Sequence, residues 1–163
     1  MHLRIVLTAL VVLALASTAS LWGAVGIDLE RPRAAHGRLH LVASKRGAIL
    51  SGRNLAPGDS VAGSVTTRNA GRLSGSFNLH GTLRGSRQLA RYLVLTVRER
   101  KRRAPRLVYS GRLASFHTVK LGRIGPGQAR TFRFSVSFRS DAPNRLQGLR
   151  TTANFTWTAV QAS

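Results

Sequence analysis

Three features of the chain predict an all-β fold, a two-sheet antiparallel β-sandwich behind an N-terminal signal peptide. Side chains alternate between apolar and polar with period two, Pro-Gly turns stand just ahead of such runs, and the polar phase is rich in Thr, Ser and Arg. A closed barrel is the alternative arrangement of the same strands. The 163 residues show no composition break that would separate two cores, so one domain is expected.

The chain begins Met1-His2-Leu3-Arg4, continues through an apolar run from Ile5 to Ala16, and reaches the small residues Ser17-Thr18-Ala19. A positive start, a hydrophobic stretch and a small-x-Ala site describe a secretory leader, residues 1–19, with cleavage expected after Ala19. Ala14-Leu15-Ala16 is a second small-x-small site. No charge interrupts Ile5 to Ile27, so an uncleaved anchor reaching residue 27 is the competing outcome, long enough to cross a bilayer of about 30 Å. Either way the remainder is expected outside the membrane, secreted or held at the cell surface.

Residues 20–52 mix apolar positions with Arg-Pro-Arg and His-Gly-Arg and alternate only over Arg38-Leu39-His40-Leu41-Val42. They read as a flexible lead-in with one short strand, ahead of a sandwich over residues 53–163. Leu73, Gly75, Phe77, Leu79, Gly81 and Leu83 then alternate with Ser74, Ser76, Asn78, His80 and Thr82, which puts the odd positions on a core face. Phe132, Phe134, Val136 and Phe138 make a second such strand, and Leu149, Ala153, Phe155, Trp157 and Ala159 a third. Shorter strands are expected at 61–68, 93–97, 107–109 and 118–121, with one helical turn at 86–92.

Ala56-Pro57-Gly58-Asp59 and Gly125-Pro126-Gly127-Gln128 place Pro and then Gly at the two central positions, as a type II turn requires. The strands that follow them differ in length and residue type, so the pair reflects one local solution used twice and not an internal repeat.

Cysteine is absent, which excludes disulfides and thiolate chemistry. His36 and His40 are four apart, but the intervening Gly37 and the alternating pattern from Arg38 argue against a helix that would aim both at a metal. The carboxylates are Asp28, Glu30, Asp59, Glu99 and Asp141, turn and solubility positions by type, with no Gly-x-Ser-x-Gly elbow or phosphate-cradling loop nearby. No catalytic residues, cofactor, metal or small-molecule substrate are therefore expected.

Charge is the strongest compositional signal: 26 Lys+Arg against 5 Asp+Glu give a formal net charge of +21. Such a chain attracts polyanions, although an arginine-rich composition is also what a high-GC genome tends to encode. The densest cluster is Arg98, Arg100, Lys101, Arg102, Arg103 and Arg106, between two expected strands where it would form a hairpin tip. Anionic wall polymers, extracellular DNA or an anionic membrane surface are the partners that such a tip would grip. Aromatic residues that would stack on bases are not interleaved with it.

The ordered motifs resemble the TasA/camelysin family of Gram-positive surface and biofilm-matrix proteins. They are Asn54-Leu55-Ala56-Pro57-Gly58-Asp59-Ser60, Asn69-Ala70-Gly71, Leu89-Ala90, Tyr109-Ser110-Gly111-Arg112-Leu113, Ile124-Gly125-Pro126-Gly127 and Phe155-Thr156-Trp157-Thr158-Ala159. The resemblance implies a jelly-roll sandwich, export, and self-assembly in which the N-terminal segment of one subunit fills a groove in the next. Leu21, Trp22, Val25 and Ile27, just after the expected cleavage site, would be the assembly segment. Adding a strand to an open sheet edge satisfies its main-chain hydrogen bonds. The expectations are, in order, a secreted structural protein of the envelope or matrix, a monomeric module that binds anionic polymers, and a camelysin-like secreted metallo-endopeptidase.

Overall fold

A computed structural model of the protein describes residues 4–11, 41–43, 47–53 and 55–161. Ten strands form two sheets: β1 (Arg4–Val11), β2 (Leu41–Ala43), β3 (Gly47–Arg53), β4 (Ser60–Asn69), β5 (Gly75–Gly85), β6 (Leu93–Glu99), β7 (Arg106–Arg112), β8 (Thr118–Ile124), β9 (Ala129–Phe138) and β10 (Arg150–Gln161). One short α-helix among the described residues, α1 (Arg87–Arg91), precedes β6 and is capped by the Ser86 hydroxyl, which accepts from Leu89 N–H. The order is β3-β1-β10-β5-β8 in the first sheet and β2-β4-β9-β6-β7 in the second.

From β3 onward the chain crosses between the sheets in the pattern of a jelly roll, with the quartets β3-β10-β5-β8 and β4-β9-β6-β7 facing each other. β1 stands inside the first quartet. It pairs parallel with β10, from Arg4 opposite Arg150 to Val11 opposite Trp157, and antiparallel with β3. It therefore separates two strands that a bare jelly roll would pair directly. Residues 4–11 are the stretch that reads as the apolar heart of a leader. An apolar run is compatible with a strand as well as with a leader, and β-branched Ile5, Val6, Thr8 and Val11 favour extended backbone.

The period-two phase places the core. Phe77 and Leu79 on β5, Phe132 and Phe134 on β9, and Phe155 and Trp157 on β10 are all essentially inaccessible to solvent. Phe134 spans the gap between the sheets, its ring centroid 5.0 Å from Phe155 and 6.1 Å from Trp157. Side chains of this size contribute roughly 1.5–3 kcal/mol each when buried, so this aromatic layer helps to hold the sheets together.

Both Pro-Gly turns form. Gly58 has φ 97° and Gly127 φ 70°, the left-handed region in which a Cβ would be strained. In each turn the fourth side chain reaches back to the first N–H: Asp59 Oδ2 accepts from Ala56 N at 2.8 Å, and Gln128 Oε1 accepts from Gly125 N at 2.9 Å. β4 and β9 start immediately after. The sheets also recruit residues ahead of position 53, where β3 ends after pairing with β1.

Candidate functional site

The basic cluster sits where a hairpin tip was expected, in the connection between β6 and β7, which pair antiparallel. Arg98 is an exposed outward position of β6; Arg100, Lys101, Arg102 and Arg103 are exposed in the loop; Arg106 opens β7. Arg100 N–H donates to the Thr131 carbonyl at 2.8 Å, which fastens the base of the loop to β9.

Glu99 divides this set in two. Its type and its basic neighbours suggest an exposed loop acid, yet its side chain is 1% exposed. It ends β6 in phase with buried Leu93, Leu95 and Val97, so its carboxylate points inward. Lys101 Nζ lies 2.7 Å from Oε1, Arg106 Nε donates to Oε2 at 2.8 Å, and Arg130 Nε stands 3.5 Å from Oε1. Oε1 is held by the charges of Lys101 and Arg130 more than by a well-directed hydrogen bond. Burial pushes the Glu99 carboxyl up, but Lys101 and Arg106 at its oxygens, with the Arg130 charge behind them, outweigh burial and hold it below its ordinary value.

Arg106 and Arg130 also cross to the other sheet. Arg106 Nη2 and Arg130 Nη1 both donate to the Leu121 carbonyl on β8, at 3.2 and 2.9 Å, and Arg130 Nη2 donates to the Arg123 carbonyl. Lys101 and Arg106 are thus engaged in closing one end of the sandwich. Arg98, Arg100, Arg102 and Arg103 have no carboxylate partner among the described residues.

Strand register adds a residue that lies outside the sequence cluster. Arg133 on β9 stands directly opposite Arg98 on β6, both exposed on the outer face of the second sheet. Like charges placed opposite each other are unfavourable unless an anion or solvent intervenes, so the basic surface runs from the loop onto the sheet. Arg133 was identifiable as outward-facing from its phase between Phe132 and Phe134. Its pairing with Arg98 depends on a register that local sequence does not encode.

Ala19, the assembly residues Leu21, Trp22, Val25 and Ile27, and the histidines His36 and His40 lie outside the described residues. Among the described residues no three His, Cys, Asp or Glu side chains come together, and no helix is long and apolar enough to cross a membrane. A groove of about 330 Å³ beside the Ala56-Pro57 turn is walled by Leu55, Phe138, Pro143 and Leu146, and no ionisable side chain among the described residues lines it.

No family model matches the chain, and no curated protein matches it. Among solved structures it is similar to AvmM, described as catalysing macrocyclization in alchivemycin A biosynthesis, at 12% identity and TM-score 0.39, covering 77% of this chain and 89% of that one. It is also similar to the sporulation control protein Spo0M from Bacillus subtilis, at 15% identity and TM-score 0.26, over 78% of this chain. That match spans 50% of the Spo0M chain.

Proposed function

We propose that the protein is an exported structural component of the cell envelope or extracellular matrix, with no catalytic role, that assembles by strand addition into the sheet holding β1. The supporting observation is the position of β1. Residues 4–11 occupy a lane between β3 and β10, hydrogen-bonded on both sides. Removal of a leader after Ala19 takes this strand away and leaves facing rows of unpaired N–H and C=O on β3 and β10. Such a lane is a template for an incoming strand. The segment holding Leu21, Trp22, Val25 and Ile27, supplied by a neighbouring copy, is the proposed occupant, in line with the TasA-like motif order.

The test uses purified chain beginning at Ser20, followed by electron microscopy and light scattering. Filaments or higher oligomers are expected, and an excess of a synthetic peptide with the sequence of residues 4–11 should cap the lane and suppress them. A strictly monomeric species across salt and pH, unaffected by the peptide, would mean that β3 closes directly onto β10 and would overturn the proposal.

A second reading, a monomeric surface module for anionic polymers, is favoured by the four cluster arginines that lack a carboxylate partner among the described residues. Salt-sensitive retention on immobilised heparin by a monomeric chain would support it over assembly.

A further inference from the structure

At one end of the sandwich, away from the hairpin loop, arginines from four separate places in the sequence line one cleft of about 270 Å³. They are Arg91 in the last turn of α1, Arg112 at the end of β7, Arg139 just after β9, and Arg145 in the 3₁₀ turn Asn144–Leu146. Gln88, Tyr92 and Asp141 complete the wall. No sequence cluster announces this site, since the four positions span more than fifty residues; the fold alone brings them together.

The cleft has a fixed side and an open side. Arg139 N–H donates to the Tyr92 carbonyl at 2.9 Å, its guanidinium lies over the Tyr92 ring at 5.8 Å from the centroid, and its Nε donates to Asp141 Oδ1 at 2.8 Å while Nη2 donates to Oδ2. A bidentate pair of this kind uses one edge of the guanidinium and leaves Nη1 free to donate elsewhere. The hydrogen bond from Arg139 holds the Asp141 carboxyl below its ordinary value, so that carboxylate stays charged and committed to Arg139. Arg91, Arg112 and Arg145 are exposed and have no carboxylate of their own among the described residues. Four guanidinium groups around one carboxylate repel one another unless an anion joins them.

We propose that this cleft binds a tetrahedral oxyanion, a phosphate or sulfate group, between Arg91, Arg112 and Arg145 and against the fixed Arg139. The size fits such a group with part of the molecule that carries it. Guanidinium groups suit it because each offers paired donors to two oxygens. The site is independent of strand addition, and it is distinct from the hairpin loop.

The test titrates inorganic phosphate and inorganic sulfate into the purified chain, with chloride at matched ionic strength as control. It follows the arginine Nε–H resonances by NMR and the unfolding temperature. Saturable one-site binding is expected, weakened about tenfold or more in the Arg112→Gln/Arg145→Gln variant. The loop variant Arg100→Ser/Arg102→Ser/Arg103→Ser should bind the two ions as the parent does. Both sets of positions are exposed, and circular dichroism verifies that each variant folds. A DNA duplex titrated in parallel distinguishes the source of the group. Duplex affinity lost in the cleft variant, without saturable binding of the free ions, assigns a polymer-borne phosphate to the cleft. Chloride-like behaviour of both ions together with equal duplex affinity in parent and cleft variant would overturn the proposal, as would equal losses in the loop and cleft variants.

Discussion

Arg106 Nε donates to Glu99 Oε2 at 2.8 Å, and this bond joins the hairpin to an almost fully buried carboxylate that closes one end of the sandwich. Because Lys101 and Arg106 are 46% and 47% exposed, water screens their share of the attraction, and the cluster is worth less than a fully buried ion pair. Glu99→Gln is expected to destabilise the fold by about 1–2 kcal/mol.

The pH dependence of that loss has a definite sign. The folded carboxyl lies below the ordinary 4.5, so between the folded and unfolded values the unfolded chain binds more protons. Its contribution is complete above the unfolded value and is lost as pH falls through the folded one. Urea unfolding of the parent and of Glu99→Gln should therefore differ fully at neutral pH and converge in acid. A difference that persists unchanged at acid pH would assign the effect to packing and not to charge.

Gly81 owes its identity to Phe116. A Cβ built on Gly81 would stand 2.2 Å from a ring carbon of Phe116, which is 5% exposed and wedged between Tyr109 and Phe155 at centroid distances of 4.8 and 5.2 Å. The ring has little room to retreat, so Gly81→Ala is expected to cost about 1–3 kcal/mol. Phe116→Ala should cost roughly 3–5 kcal/mol, and the double variant should fall clearly short of the sum, because removing the ring removes the atoms that the methyl group crowds most closely. Strict additivity in denaturant melts would refute this contact.

The parts of the fold that were legible in the sequence are those with one oily and one wet face. Leu79, Phe134 and Trp157 announce their strands because their neighbours alternate, and the two Pro-Gly turns announce where β4 and β9 begin. β1 and β3 are not announced in this way. An unbroken run such as Ile5 to Val11 has no wet phase, and Gly47–Arg53 carries only two large apolar side chains, Ile49 and Leu50. Glu99 was hidden for the opposite reason. Its charge suggests solvent, although its phase with Leu93, Leu95 and Val97 points inward, and only the cations brought by β7 and β9 explain how a carboxylate is tolerated there. The arginine cleft depends on long-range topology and leaves no local trace.

Asn69 ties three segments together from a fully buried position. Its Nδ2 donates to the Leu73 carbonyl at 2.8 Å and to the Ile124 carbonyl at 3.1 Å, and its Oδ1 accepts from Gly71 N at 3.0 Å. Its backbone meets Gln128 and Gly127 in the second Pro-Gly turn. Asn69→Ala leaves these partners without the side chain and is expected to cost about 2–4 kcal/mol, with hydrogen exchange accelerated at Gly71. Asn69→Leu should not rescue stability, since volume is not what is lost. Recovery in that variant would show that the site values packing over hydrogen bonding.

The hairpin arginines divide into those that close the sandwich and those left over, and salt dependence separates the two groups. Each phosphate contact contributes about 0.9 to the slope of log affinity against log salt on duplex DNA. Arg100→Ser/Arg102→Ser/Arg103→Ser is therefore expected to lower that slope by about 2–3 while leaving the unfolding midpoint nearly unchanged, because these side chains are exposed and lack carboxylate partners among the described residues. Arg106→Ser removes the donor to Glu99 and to the Leu121 carbonyl, so it should lower the midpoint clearly and the slope little. Fluorescence titrations with a duplex at several salt concentrations, paired with urea melts of the same variants, read both quantities. If Arg106→Ser took the larger share of the slope, the division drawn at Glu99 would be wrong, and the whole hairpin would act as a single binding tip.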